Sequence, residues 1–176
     1  MKINKTLNRI KLTSQKGITL VELILYMSIL SILLTILTSI FISALDVQSE
    51  SNTVSSVEQD GNYILARLNY DIHRAQSINI PSSNGATADN FQIVIGGVNY
   101  TYSVDANNNM VLTNNLGTNN LNNYGASISA FLIQRLGNVG GVENTLRINF
   151  TITSRTKRIS GFETKNFQTN LSLRRQ

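Results

Sequence analysis

The longest apolar stretch of the chain runs from Ile18 to Leu45 and predicts a membrane-spanning helix. Its 28 residues contain one charged side chain, Glu22, and neither proline nor glycine. As a helix it would extend about 42 Å at about 1.5 Å per residue, which exceeds the roughly 30 Å hydrocarbon layer of a bilayer. We therefore expect residues 18–45 to cross a membrane once.

Glu22 is the unusual residue of this span. A carboxylate inside an apolar helix costs about 2.5–3.5 kcal/mol on insertion scales, so it is usually retained because it has a partner or a function. It lies four residues after Ile18, which is one helical turn. Its role depends on whether the chain is cut before Ile18.

Apolar residues keep a helical spacing after the span, through residues 46–80. The positions expected on one face are Val47, Val54, Val57, Gly61, Ile64, Leu68, Ile72 and Ala75. This spacing predicts an amphipathic helix that continues the membrane helix. Gly61 is its weakest position, since glycine costs about 1 kcal/mol relative to alanine in a helix. The helix should end near residues 77–79, because Pro81 disfavours helical geometry in the residue before it.

The hydrophobic period changes from about 3.6 to 2 in residues 81–176, which predicts β-strands. Four segments alternate clearly, namely 91–95, 98–104, 146–152 and 167–173. Gly96 and Gly97 indicate a hairpin turn between the first two. The expected fold class is α+β, with a long N-terminal helix, half transmembrane and half amphipathic, packed on a C-terminal antiparallel β-sheet.

Other parts of this domain alternate less regularly. Residues 128–136 are a weaker strand candidate. The asparagine-rich segment from Asp105 to Gly125 has few large apolar residues, so we expect a loop there, with at most a short strand at 110–112.

Basic charge is concentrated before the span. Residues 1–17 have no acidic residue and five basic ones, which are Lys2, Lys5, Arg9, Lys11 and Lys16. The remaining 10 basic residues balance the 10 acidic residues, so the net charge of +5 belongs to this leader and gives no support for nucleic-acid binding by the rest. The asymmetry places the leader in the cytoplasm and the C-terminal domain outside the membrane.

The sequence Gly17-Ile18-Thr19-Leu20-Val21-Glu22, between a basic leader and a long apolar helix, resembles the signal of type IV prepilins. The resemblance implies that a prepilin peptidase cuts after Gly17 and N-methylates Ile18. It also implies that Glu22 meets the amine of a neighbouring subunit during assembly. The expected partners are this peptidase, other pilin or pseudopilin subunits and the cytoplasmic membrane.

Further residues favour a particular kind of pilin. Ser39 stands near where many major pilins have proline, which leans away from a major pilin, whereas Ile18, where phenylalanine or methionine is most frequent, is only a mild departure from the commonest signal. Residues 67–75 and 167–174 are similar to the late first helix and the C-terminal strand of minor pilins and pseudopilins. The resemblance therefore implies a structural subunit of a type IV pilus, a competence pilus or a type II secretion pseudopilus, which moves from the membrane into a filament.

Two other interpretations of the N-terminus stay open. An ordinary uncleaved signal anchor would tether an extracytoplasmic binding protein, with Glu22 reaching toward the headgroups. A secretory signal peptide, cut after Ala44, is less favoured because the apolar run exceeds the usual 7 to 15 residues.

The sequence offers little catalytic or metal-binding chemistry. It has no cysteine and one histidine, His73, which we expect on the helix surface. Asp105, Asn107 and Asn109 have calcium-loop spacing, but the required glycine and glutamate are missing, which favours an Asx turn. We expect no cofactor, no metal and no enzymatic activity.

The chain ends in a group of basic residues, which are Arg155, Lys157, Arg158, Arg174 and Arg175. A solvated face explains them better than a DNA site, because few aromatic residues lie among them. DNA is therefore the least favoured of the partners considered.

Overall fold

A computed structural model of the chain describes residues 17–137, 145–158 and 160–173. One helix, α1, spans Leu20–Arg74, which confirms the predicted long N-terminal helix. The chain divides into two units, residues 1–44 and 45–176. The described part of the first unit is the start of α1, and the second contains the rest of α1 and every described strand.

Nine strands follow the helix in the described residues. They are β1 (Ser77–Ile80), β2 (Thr87–Ala88), β3 (Phe91–Ile95), β4 (Val98–Val104), β5 (Met110–Asn114), β6 (Gly117–Asn120), β7 (Ala126–Leu136), β8 (Thr145–Arg158) and β9 (Gly161–Ser172). They form two antiparallel sheets, in the orders β1-β3-β4-β5-β6 and β2-β7-β8-β9. The α+β class is confirmed, with two sheets where one was expected.

The clearest hydrophobic alternation marks the strands of the core. Phe91, Ile93 and Ile95 are buried on β3, which pairs with β4 through the predicted turn. Gly96 and Gly97 both have positive φ, 58° and 79°. A two-residue hairpin turn of this kind favours glycine because side chains are strained in that region.

The most regular strand candidate is also confirmed. Leu146, Ile148, Phe150 and Ile152 on β8 are at most 1% exposed. The weaker alternation of residues 128–136 has a structural cause. The register of β7 against β8 shifts between Ser129 and Leu132, where Ala130 has a φ of 54°. Such a bulge interrupts the two-residue period.

The amphipathic face of α1 packs against the strands as predicted over most of its length. Val57, Ile64, Leu68 and Ile72 are at most 1% exposed and lie in one cluster with the buried strand residues. The prediction for Val47 was wrong, since this side chain is 67% exposed. It precedes Thr53, the first buried residue of the helix, and so lies outside the covered stretch.

The helix ends earlier than predicted. It stops at Arg74, whereas we expected it to end near residues 77–79. Residues 77–80 instead form β1. The Gln76 amide donates to the Val94 carbonyl on β3 at 2.8 Å, so sheet pairing begins directly after the last helical turn. The β-rich part therefore starts at residue 77 and not at residue 81.

The segment expected to be a loop, 105–125, contains a second hairpin. The predicted strand at 110–112 is part of β5, and β6 pairs with it across a turn at 115–116. All four residues of β6 are exposed. A fully polar edge strand has no hydrophobic alternation, which is why the pattern did not indicate it.

Gly61 lies where the helix meets an aromatic ring of β9. A Cβ built on Gly61 would be 2.0 Å from Cζ of Phe167, whose ring stacks on Phe150 with centroids 5.3 Å apart. Gly61, which we expected to weaken the helix, is therefore the residue that lets β9 approach α1 closely.

A buried carboxylate joins α1 to the first sheet. Asp71 is fully buried, and its Oδ2 accepts hydrogen bonds from the Tyr102 hydroxyl on β4 and from Nε of Arg67, the latter at 2.9 Å. Burial, followed by the hydrogen bond to Asp71 and its charge, raises the pKa of Tyr102. A buried charge is tolerated only where such partners are present.

A second buried carboxylate joins α1 to the segment between β6 and β7. Asp60 is 4% exposed and accepts hydrogen bonds from the Asn123 backbone amide at 3.0 Å and from its Nδ2 at 2.9 Å. Desolvation raises the pKa of Asp60, although both bonds from Asn123 oppose that shift. The polar side of the helix thus takes part in packing.

We expect Gly61→Ala to destabilise the protein. Overpacking costs about 1–3 kcal/mol, which outweighs the gain of about 1 kcal/mol in helix propensity. In a Phe167→Ala background the clash is absent, so the same substitution should stabilise. Denaturant unfolding followed by circular dichroism compares the two backgrounds. A stabilising Gly61→Ala in the wild-type chain would contradict the contact with Phe167.

Tyr102 should resist ionisation while the protein is folded. Its pKa is raised above the ordinary value of about 10, so the folded state holds this proton more tightly than the unfolded state. Linkage then requires the free energy of unfolding to fall as the pH rises above about 10. Ultraviolet titration of the folded wild type and Tyr102→Phe should show equal phenolate absorbance near pH 10. In urea the wild type should show about half an ionised tyrosine more near pH 10, and one more at higher pH. A difference already present in the folded proteins near pH 10 would refute the buried contact.

Candidate processing and assembly site at the N-terminus

The helix begins with a side-chain cap directly after the predicted cleavage point. Gly17, Ile18 and Thr19 precede α1, and Oγ1 of Thr19 accepts a hydrogen bond from the Glu22 amide at 3.2 Å. The Thr19 carbonyl accepts from the Leu23 amide at 3.1 Å. Thr19 is therefore the N-cap, and it satisfies an amide that has no partner within the helix.

Glu22 is the acidic residue of the first turn of α1, and it is exposed. Its Oε1 accepts a hydrogen bond from the Tyr26 hydroxyl at 2.9 Å, one turn along the helix. Among residues 17–137, 145–158 and 160–173, no cationic side chain forms an ion pair with it. The carboxylate thus has a neutral donor but no described counter-charge.

Gly17 has no structural need to be glycine in this arrangement. A Cβ built on it would meet no atom of the described residues within 4 Å, and it is not among the glycines with positive φ. Neither packing nor backbone conformation therefore accounts for the residue.

The apolar span is exposed in the part of the chain that the structure describes. Every large apolar side chain from Ile18 to Leu45 is exposed, the values ranging from 49% at Leu45 to 74% at Leu20. The helix is long and apolar enough to cross a membrane by length and composition. So large an exposed apolar surface requires lipid or other helices as its surroundings.

Most serine and threonine hydroxyl groups of this span donate hydrogen bonds within the helix. Each of five donates to the carbonyl four residues earlier at 2.8–3.0 Å, and these are Ser28, Thr35, Thr38, Ser39 and Ser43. Internal pairing removes most of the cost of placing a hydroxyl in an apolar medium.

Two residues of this site, Thr19 and Tyr26, were given no role of their own in the sequence analysis. Thr19 and Glu22 have the Thr-x-x-Glu spacing of a capping box, which signals a helix start. Tyr26 stands four residues after Glu22, the spacing at which side chains of a helix meet. Both signals are local and readable in the sequence.

The other chemical candidates behave as surface and turn residues. His73 is exposed on α1, as predicted. Asp105 forms the expected Asx-type turn, since its Oδ1 accepts from the amides of Asn107 and Asn109 at 2.9 and 2.7 Å. The described residues contain no group of three or more potential metal-ligating side chains.

The basic residues near the end of β8 are largely engaged. Arg155 donates to the carbonyl of Asn107 at 2.6 Å, and Arg158 pairs with Glu50 at 2.7 Å and with Glu163. Lys157 is exposed. Arg174 and Arg175, the other two basic residues of the predicted group, lie outside the described residues.

Comparison with known proteins places the N-terminus in a recognised class. Residues 12–38 match the family model described as the prokaryotic N-terminal methylation motif. This stretch contains Gly17, Ile18 and Glu22 and covers 27 of the 176 residues. No curated protein and no solved structure matches the chain.

The match supports a type IV pilin-like precursor. The motif implies processing by a prepilin peptidase and assembly with other pilins. Together with the one apolar helix, it fits a single-pass membrane-anchored pilin, and it suggests a structural protein rather than an enzyme. The matched residues end within the span, so the match does not extend to the β-rich domain.

Proposed function

We propose that the chain is a minor pilin or pseudopilin, a subunit of a type IV pilus, a competence pilus or a type II secretion pseudopilus. The precursor lies in the cytoplasmic membrane with its leader inside and its β-rich domain outside. A prepilin peptidase cuts between Gly17 and Ile18 and methylates the Ile18 amine. The mature subunit then enters a filament.

The observation that carries this proposal is the isolated carboxylate of Glu22. It is exposed, hydrogen-bonded only to the neutral Tyr26 hydroxyl and to no described cation, in a span without another charge. A charge in that setting calls for a partner from outside the helix. Cleavage supplies one, because it creates an ammonium group on Ile18.

The energies favour pairing between subunits. Two unit charges about 4 Å apart attract by about 4 kcal/mol at an effective dielectric constant of 20, although desolvation offsets much of this gain. The Glu22 carboxylate of one subunit meeting the Ile18 amine of the next neutralises both charges and sets their axial register. The exposed apolar side chains of residues 18–45 then pack among neighbouring helices in the filament.

The lack of a structural reason for glycine at position 17 also supports the processing step. Since neither packing nor φ requires glycine there, recognition by the peptidase accounts for this residue. Thr19 caps the helix after the cut, so the mature chain would keep its cap with a single residue, Ile18, before it.

We expect Glu22→Ala to leave cleavage and membrane insertion intact and to reduce incorporation into filaments strongly. The substitution removes the counter-charge for the Ile18 amine while the apolar span and Gly17 are unchanged. Immunoblots of sheared filaments and of membranes from the same cells compare incorporated with membrane-held protein.

Tyr26→Phe is the matched control, because it removes only the hydroxyl that binds Glu22. This variant should enter filaments nearly as well as the wild type. Equal incorporation of Glu22→Ala and wild type would refute the pairing role. A loss of incorporation in Tyr26→Phe as great as in Glu22→Ala would assign the effect to the intrahelical hydrogen bond.

A further inference from the structure

The solvent-facing side of α1 carries a row of aromatic and basic residues near the C-terminal end of the helix. Tyr63, Arg67, Tyr70 and Arg74 are spaced by four, three and four residues, and we call them the aromatic-basic face. Tyr63 and Tyr70 are 53% and 55% exposed. The guanidinium carbons of Arg74 and Arg67 lie 4.8 and 6.0 Å from the centroid of the Tyr70 ring. These cation–π contacts hold the side chains together.

The face presents positive charge without an exposed acidic neighbour on its helix. Between residues 62 and 74 the one acidic side chain is Asp71, which is fully buried, whereas its partner Arg67 stays 34% exposed. Tyrosine and arginine are enriched in protein interfaces and among the residues that dominate binding energy. An acidic protein segment is the complementary partner.

Nucleic acid fits this face less well. Successive bases would have to stack on several exposed rings, and the Tyr70 ring already has two guanidinium groups against it, which leaves Tyr63 as the one ring of the face without such a contact. An acidic side chain can instead bind those guanidinium groups while the rings remain in place.

The chain has an acidic segment of its own at the start of the second unit. Asp46 and Glu50 are exposed, and we call residues 45–50 the acidic segment. Leu45 and Val47 are 49% and 67% exposed, so the segment is apolar as well as acidic. Asp46 has no ion pair or hydrogen bond from a described side chain, and Glu50 remains 55% exposed despite its pair with Arg158.

The two surfaces cannot meet within one molecule. Asp46 and Arg74 lie on the same helix, 28 residues apart, which is about 42 Å at about 1.5 Å per residue. We infer that the aromatic-basic face of one copy docks on the acidic segment of a second copy. The inference rests on the proposed function, because copies anchored in one membrane or filament have parallel helices. Between parallel copies this contact is head-to-tail, and its repetition builds an open filament where no rotation closes it into a ring.

Cysteine cross-linking tests this contact, because the chain contains no cysteine. His73→Cys places a thiol at an exposed position beside the aromatic-basic face, and Val47→Cys places one within the acidic segment. Both substitutions leave the charged residues and aromatic rings of the two surfaces unchanged. A disulfide requires Cα atoms within about 7 Å, so the double variant can be joined only between copies. Oxidation of the full-length protein in its own membranes and filaments should give a ladder of dimers, trimers and longer products, whereas either single variant stops at dimers.

A matched control pairs Val47→Cys with Thr118→Cys, an exposed position on β6. Adding Arg74→Glu to the Val47/His73 double variant should reduce products longer than dimers about tenfold or more, since like charges would then face each other. Further addition of Asp46→Lys should restore them. Lys157→Glu, an equal charge change at another exposed site, should leave the ladder unchanged.

The outcomes separate this inference from the proposed function. A ladder no stronger than that of the Val47/Thr118 control, in filaments that contain the protein, overturns the docking surface and leaves the proposed function standing. Equal loss from Arg74→Glu and Lys157→Glu also overturns it. An uncleaved chain that is absent from filaments overturns both.

Discussion

The constraint on which the whole structure depends is the need to cover the apolar surface of one helix in two different ways. From Val57 to Ile72 the strands of the same chain cover it and leave the central residues at most 1% exposed. From Ile18 to Leu45 none of the described residues covers it. The hydrophobic effect favours removal of such a surface from water, so the second stretch needs a bilayer or the helices of other subunits. The proposed membrane anchoring and filament assembly would both meet that need.

Much of the fold could be predicted because burial leaves a periodic pattern. The helix, its buried face and the strands β3, β4 and β8 have regular spacing of apolar residues, and each was found. Two missed strands gave a weaker signal, since Ser77–Ile80 alternates over only four residues directly after the helix and Gly117–Asn120 has no apolar side chain. Ser77–Ile80 pairs with β3 at the end of the helix, and Gly117–Asn120 is an entirely exposed edge. Their strand geometry comes from hydrogen bonds to neighbouring strands, which one sequence does not reveal.

The contacts that join the helix to the sheets were the least predictable, because they use residues that a sequence pattern assigns to solvent. Asp60 and Asp71 are acidic, yet both are buried and bound to Asn123 and Tyr102. Gly61 was expected only to weaken the helix, but it is the position at which Phe167 packs against the helix. By contrast, Gly17, Ile18 and Glu22 could be proposed from sequence alone, since their signal is a short contiguous motif. The capping by Thr19 and the hydrogen bond from Tyr26 add local detail to that motif.

The mass of the N-terminal peptide, measured on protein isolated from its own cells, tests the central claim most directly. The account predicts a mature chain that begins with N-methylated Ile18, which only cleavage after Gly17 followed by methylation produces. A chain that retains residues 2–17 would contradict it. In that case Ile18 would have no free amine, Glu22 would lack its proposed partner, and the span would be an ordinary membrane anchor.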